Sequence, residues 1–165
     1  MELTEAVRRA QEGDRQAAEE LYRQTCQRVY ALALRLTNNP DRAMDAVQET
    51  YLSALQHLDN LRSPEAFPSW ILQIAANCCH RIHRQEGHYV SVSGKEDGDS
   101  GFLEAIPDPD EGILPESAVE HEETRRLVLG LVQDLPHTQR ECVILFYFSR
   151  FTVEEIAQIQ NCSTG

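Results

Sequence analysis

The sequence predicts an all-α protein of two small helical domains, and three observations carry that prediction. Apolar residues recur at helical spacing on both sides of the chain's middle. Helix caps and breakers punctuate those stretches. Between them, from Gly87 to about Pro115, periodicity gives way to glycine, proline, serine and acid. A chain of 165 residues has room for one ordinary domain or two small ones. The expected division is residues 1–86, an acidic flexible linker over 87–116, and residues 117–165.

In the first domain, Gly13-Asp14 supplies a cap, after which Leu21, Thr25, Val29, Leu32 and Leu36 recur at helical spacing. Asn38-Asn39-Pro40 breaks that helix, and Asp41 lies near the start of the next. There Met44, Val47, Tyr51, Leu55 and Leu58 form one apolar stripe. A turn follows at Asp59–Arg62. Ser63-Pro64-Glu65 then reads as a cap with proline at the first helical position, opening a helix that runs to about Gln85. Pro68 falls in its first turn, where a missing N–H costs little.

The second domain begins near Ser117, and its first helix carries Leu127, Leu131 and Val132. Leu135-Pro136 marks the next start. Cys142 to Phe148 is the longest apolar run; it reads as a helix buried on most sides, because no second strand is at hand to pair with it. Thr152-Val-Glu-Glu155 is a capping box. It opens a short helix with Val153, Ile156, Ala157 and Ile159 as apolar residues, Asn161 as its left-handed end, and Ser163 as the cap of another.

Composition excludes several classes. A seven-residue apolar run is far too short to span a bilayer, which takes roughly 20 residues. The start has acids among its bases and no apolar core, unlike a signal peptide, so a soluble, cytoplasmic protein without membrane insertion is expected. Five cysteines with no Cys-x-x-Cys pair argue against a disulfide framework or zinc ribbon. Cys79, His80 and His83 form only a loose cluster, short of the four ligands of a structural zinc site. The net charge of −12 is unusual for a nucleic-acid binder, but it is unevenly placed. Residues 87–123 carry one base and 11 acids, whereas residues 1–86 carry 10 bases and 12 acids and residues 124–165 carry four of each.

The third helix holds the most informative pattern. At about 100° per residue, Ile71, Ile74, Ala75, Cys78 and Ile82 gather on one side and Trp70, Gln73, Asn77, Arg81 and Arg84 on another, centred roughly 125° away. A core needs only the first. The second combines an aromatic plane, two amides and two guanidiniums, groups that stack on bases, bond their edges and contact phosphates. Trp70 fits a core position as well. On the preceding helix Asp45, Gln48 and Glu49 share one face, which suits either solvent or a basic partner.

Two blocks of the chain resemble extracytoplasmic-function (ECF) sigma factors of the sigma-70 family. Gly13-Asp14, Glu20-Leu21-Tyr22, Ala31-x-x-Leu34, Asp45-x-Val47-Gln48-Glu49 and Ala66-Phe67-x-x-Trp70-Ile71-x-x-Ile74-Ala75-x-Asn77 match region two of that family. Leu135-Pro136-x-x-Gln139-Arg140-x-x-x-Ile144-Leu145, Thr152-x-Glu154-Glu155-Ile156-Ala157 and Ser163-Thr164-Gly165 match the opening of the region four helix-turn-helix. The resemblance implies a region two bundle of three or four helices and a region four lacking its recognition helix, since in the family the final glycine is followed by Thr-Val and a basic helix. It implies an initiation factor that binds core RNA polymerase, with Asp45, Gln48 and Glu49 on the clamp helices of the largest subunit. Trp70, Gln73, Asn77, Arg81 and Arg84 would recognise and melt the −10 element of promoter DNA, and −35 recognition would be impaired. An anti-sigma factor is a further implied partner. The inter-domain segment of the family threads the polymerase's active-site channel, where an acidic chain would mimic nucleic acid. Two residues depart from the family pattern: Ala76 stands where arginine is common, and Arg81 where aspartate is common.

The alternative is a sigma-like decoy or adaptor that binds an anti-sigma factor without touching promoters. An enzyme is not expected, because no glycine-rich phosphate loop and no nucleophile motif occur. No catalytic residue, cofactor or metal is implied.

Overall fold

The computed structural model describes residues 1–87, Leu127 and 130–164. The linker expected after Gly87, the domain start near Ser117 and any helix opened by Ser163 lie outside the described residues. The chain divides into two compact units, Met1–Gly94 and Lys95–Gly165. The described residues are helical, with turns between, and form no strand.

The first unit contains α1 (Leu3–Gln11), α2 (Arg15–Thr37), α3 (Pro40–His57) and α4 (Phe67–Gly87). Short 3₁₀ turns at Leu58–Asn60 and Pro64–Ala66 connect α3 to α4. Local chemistry sets the boundaries. α1 ends where Gly13 takes a φ of +88°, a conformation that glycine adopts without a side-chain clash. Asp14 then caps α2 by accepting from the N–H groups of Gln16 and Ala17 at 2.9 and 3.2 Å. The Ala17 N–H, followed by the Arg9 guanidinium, holds its carboxyl below the usual carboxylate range. Asn38 closes α2 in the left-handed region, and Asn39 caps α3 by accepting from the N–H groups of Asp41 and Arg42, with Pro40 at the first helical position.

All five apolar-face residues expected in α2 are buried, but α1 was not foreseen. It buries Ala6 and Val7 completely, and Gln11 donates to the carbonyls of Leu58 and Leu61, each at 2.9 Å. That bond fixes the turn from which α4 departs. Ser63 makes no side-chain cap bond, and its proline opens a 3₁₀ turn rather than α4 itself, which starts at Phe67.

α3 corrects the predicted stripe. Its buried residues are Ala43, Ala46, Val47, Thr50 and Ala54, while Met44 and Leu55 are about half exposed. The buried face is rotated by about 85° from the expected one, at 100° per residue, although Val47 and Leu58 of the expected stripe are buried. Small residues occupy it because α3 packs against both α2 and α4, and alanines let helix backbones approach closely. α4 is likewise buried on more than one side: Leu72, Ala76 and Cys79 join Ile71, Ala75 and Cys78 in the core, because α4 contacts both α2 and α3. Phe67 anchors its first turn, and burying such a ring stabilises by about 1.5–3 kcal/mol.

In the second unit, residues 130–133 are helical, α5 spans His137–Val143 and α6 spans Val153–Gln160. The run from Cys142 departs from expectation. Over Ile144–Phe148 the helix widens into a π turn. Ile144 and Leu145 face inward, while Phe146 and Tyr147 are 45% and 73% exposed. Seven consecutive apolar side chains surround a helix, and only part of its girth meets the core. Both bonds of the Thr152 capping box form, at 2.8 and 3.2 Å, and Asn161 ends α6 at a φ of +52°. Gln160 ties α6 to α5, donating to the Thr138 carbonyl and the Glu141 carboxylate and accepting from the Cys142 thiol. Ile156, Ala157 and Ile159 are buried as expected, but Val153, Leu127 and Leu131 are exposed.

Candidate nucleic-acid interface

α4 carries the candidate residues because the helix fixes their spacing. From Trp70 to Arg84 the row extends about 21 Å along the axis, at 1.5 Å per residue. Asn77, Arg81 and Arg84 are exposed, and Trp70 and Gln73 are half-buried. The Trp70 ring leans on Phe67, with centroids 5.9 Å apart and planes at 45°. Its partial burial braces one part of the ring and leaves the rest reachable. Asn77 donates its amide to the Gln73 carbonyl at 2.9 Å, which directs its own oxygen as an acceptor.

α3 carries the second set. Asp45 and Gln48 are exposed, and Met44, Leu52 and Leu55 stand beside them at 48%, 64% and 53% exposure. The outward face is therefore aliphatic as well as acidic, a combination missed in the sequence because Met44 and Leu55 were assigned to the core. The spacing of Ala43, Ala46, Thr50 and Ala54 was the available signal.

Glu49 and Arg81 do not sit where their rows alone would place them. The Arg81 guanidinium forms an ion pair with the Glu49 carboxylate, and it lies 3.8 Å from the Cys78 sulfur. The pair joins α3 to α4. Its hydrogen bond with Glu49 raises the Arg81 pKa further. Burial pushes the Cys78 thiol up, so it stays protonated at neutral pH and is no nucleophile. Ala76 is fully buried in the packing seam.

The first unit is thus a four-helix bundle whose α4 carries an aromatic ring, two amides and two guanidiniums along one row. Residues 21–89 match the family model described as Sigma-70 region 2. The chain is 30% identical to the ECF RNA polymerase sigma-E factor of Salmonella typhimurium over 159 residues, covering 96% of this chain and 83% of that protein. It is 26% identical to the ECF RNA polymerase sigma factor SigW of Bacillus subtilis, covering all of this chain and 88% of that one. It is 28% identical to the RNA polymerase sigma-H factor of Pseudomonas aeruginosa, covering 96% and 82%. The chain belongs to the extracytoplasmic-function sigma factors of the sigma-70 family, and its role is that of a transcription initiation factor. Among the described residues, no helix is long and apolar enough to cross a membrane.

Proposed function

We propose that the chain binds core RNA polymerase through the outward face of α3 and recognises and melts the −10 element with the outward face of α4. The observation that carries this reading is the contrast between two packed helices of one unit. α3 turns Asp45 and Gln48 outward amid aliphatic side chains, and α4 exposes Asn77 and Arg84 beside the half-buried Trp70 and Gln73. The acidic face suits the basic clamp helices of the largest subunit, where carboxylates make charge-assisted bonds to arginine. The other face suits a single strand. Extruding a base costs a few kcal/mol, offset here by stacking on Trp70, edge bonds to Asn77 and phosphate contact with Arg84.

In this reading residues 1–86 are region two, 87–116 the acidic linker, and 117–165 a region four in which α6 is the positioning helix of the helix-turn-helix. The protein works in the cytoplasm, without catalysis of its own, and is held in check by an anti-sigma factor. Retention on immobilised core polymerase, followed by transcription from a cognate promoter, tests it. Binding and promoter-directed transcripts are expected. No binding would remove the reading, and binding without transcription would favour the decoy.

A further inference from the structure

The Glu49–Arg81 ion pair connects the two faces that the proposed function separates. Arg81 lies four residues after Asn77 and three before Arg84, so it belongs to the strand-facing row of α4. Glu49 lies four residues after Asp45 and borders the polymerase-facing row of α3. Yet each is turned toward the other helix. With side-chain exposures of 52% for Arg81 and 44% for Glu49, both remain accessible to water and to partners. The pair depends on Arg81 being basic: the aspartate common at this position in the family would repel Glu49.

We propose that this ion pair is an exchangeable joint that couples polymerase docking to strand binding. In the free chain Glu49 acts as a positioning residue and holds Arg81 against α3. A basic helix that docks beside Asp45 and takes Glu49 as its own partner releases Arg81 toward a phosphate next to Asn77 and Arg84. The exchange is feasible because exposed pairs are weak, so the docking partner has little to overcome. By linkage, strand binding favours docking by the same factor. The inference rests on the two-face reading above.

The test uses the full free chain and a fluorescein-labelled single-stranded oligonucleotide, with anisotropy measured across a salt series. Glu49→Gln should tighten binding about two- to fivefold, the range set by a surface ion pair. It should also steepen the dependence of log K on log salt by about 0.7, the increment for one added phosphate contact on a single strand. In an Arg81→Gln background, Glu49→Gln should produce neither change. The same gain with and without Arg81 would mean that only a repulsive charge had been removed, and would overturn the joint. So would an unchanged salt slope. An Asn77→Ala/Arg84→Gln variant separates the two ideas: if its affinity is normal, the strand-binding reading fails and takes the joint with it. If its affinity falls while Glu49→Gln has no effect, the joint alone fails.

Discussion

On α3 the outward row is Met44, Asp45, Gln48, Leu52 and Leu55, acidic and aliphatic. On α4 it is the exposed Asn77 and Arg84 with the half-buried Trp70 and Gln73, aromatic, amide and cationic. Beneath both rows lies the same kind of seam: Ala43, Ala46 and Thr50 on one helix, Ala75, Ala76 and Cys78 on the other. Under the proposed function, the difference lets one small bundle serve two partners of opposite charge. Small buried residues pack the helices closely, and the chemistry that discriminates partners stays on the outward rows.

The comparison breaks most completely if the seam is forced apart. Ala46 is fully buried, and Ala46→Leu overpacks the site, an error that costs about 2–3 kcal/mol. A lower urea midpoint, with loss of both core and strand binding, is expected; a variant as stable as wild type would show that the helices do not need close packing. Reversing charge on one face sharpens the contrast. Asp45→Arg should weaken core polymerase binding by about thirtyfold, near 2 kcal/mol for a lost interfacial charge pair. Measured on the same oligonucleotide, strand affinity should not fall. The smallest effect concerns Trp70, the chain's only tryptophan. Its fluorescence should be quenched on adding a single strand, and Trp70→Ala should weaken strand binding about fivefold, at the low end of base–aromatic stacking. Unaltered emission at saturation would return Trp70 to a purely packing role.

Caps and breaks were legible because their causes are local. Asp14 and Thr152 each accept from N–H groups two or three residues on, a spacing that a sequence displays directly. Asn38-Asn39-Pro40 marks the break before α3, whereas Ser63, read as a cap by the same rule, makes no such bond. The buried stripe of α3 was not legible. Hydropathy favours Met44 and Leu55 over Ala43 and Ala54, whereas the packing of α3 against two neighbours favours small residues. α1 is short and carries only two buried side chains, so its signal is weak. On α4 helical geometry gave the burial of Ile71, Ala75 and Cys78 and the exposure of Asn77, Arg81 and Arg84, but not the burial of Leu72, Ala76 and Cys79. The Glu49–Arg81 pair was not legible, because it joins residues 32 positions apart and depends on how their two helices are set against each other.

The most direct test of the two-face account is transcription by holoenzyme reconstituted with Asn77→Ala/Arg84→Ala, compared on duplex and premelted templates of one promoter. If α4 melts and holds the strand while α3 docks the polymerase, the variant should lose most of its activity on the duplex. Activity on the premelted template should recover at least in part, with core affinity unchanged. Full activity on the duplex would contradict the account, because promoter opening would then not depend on the outward row of α4.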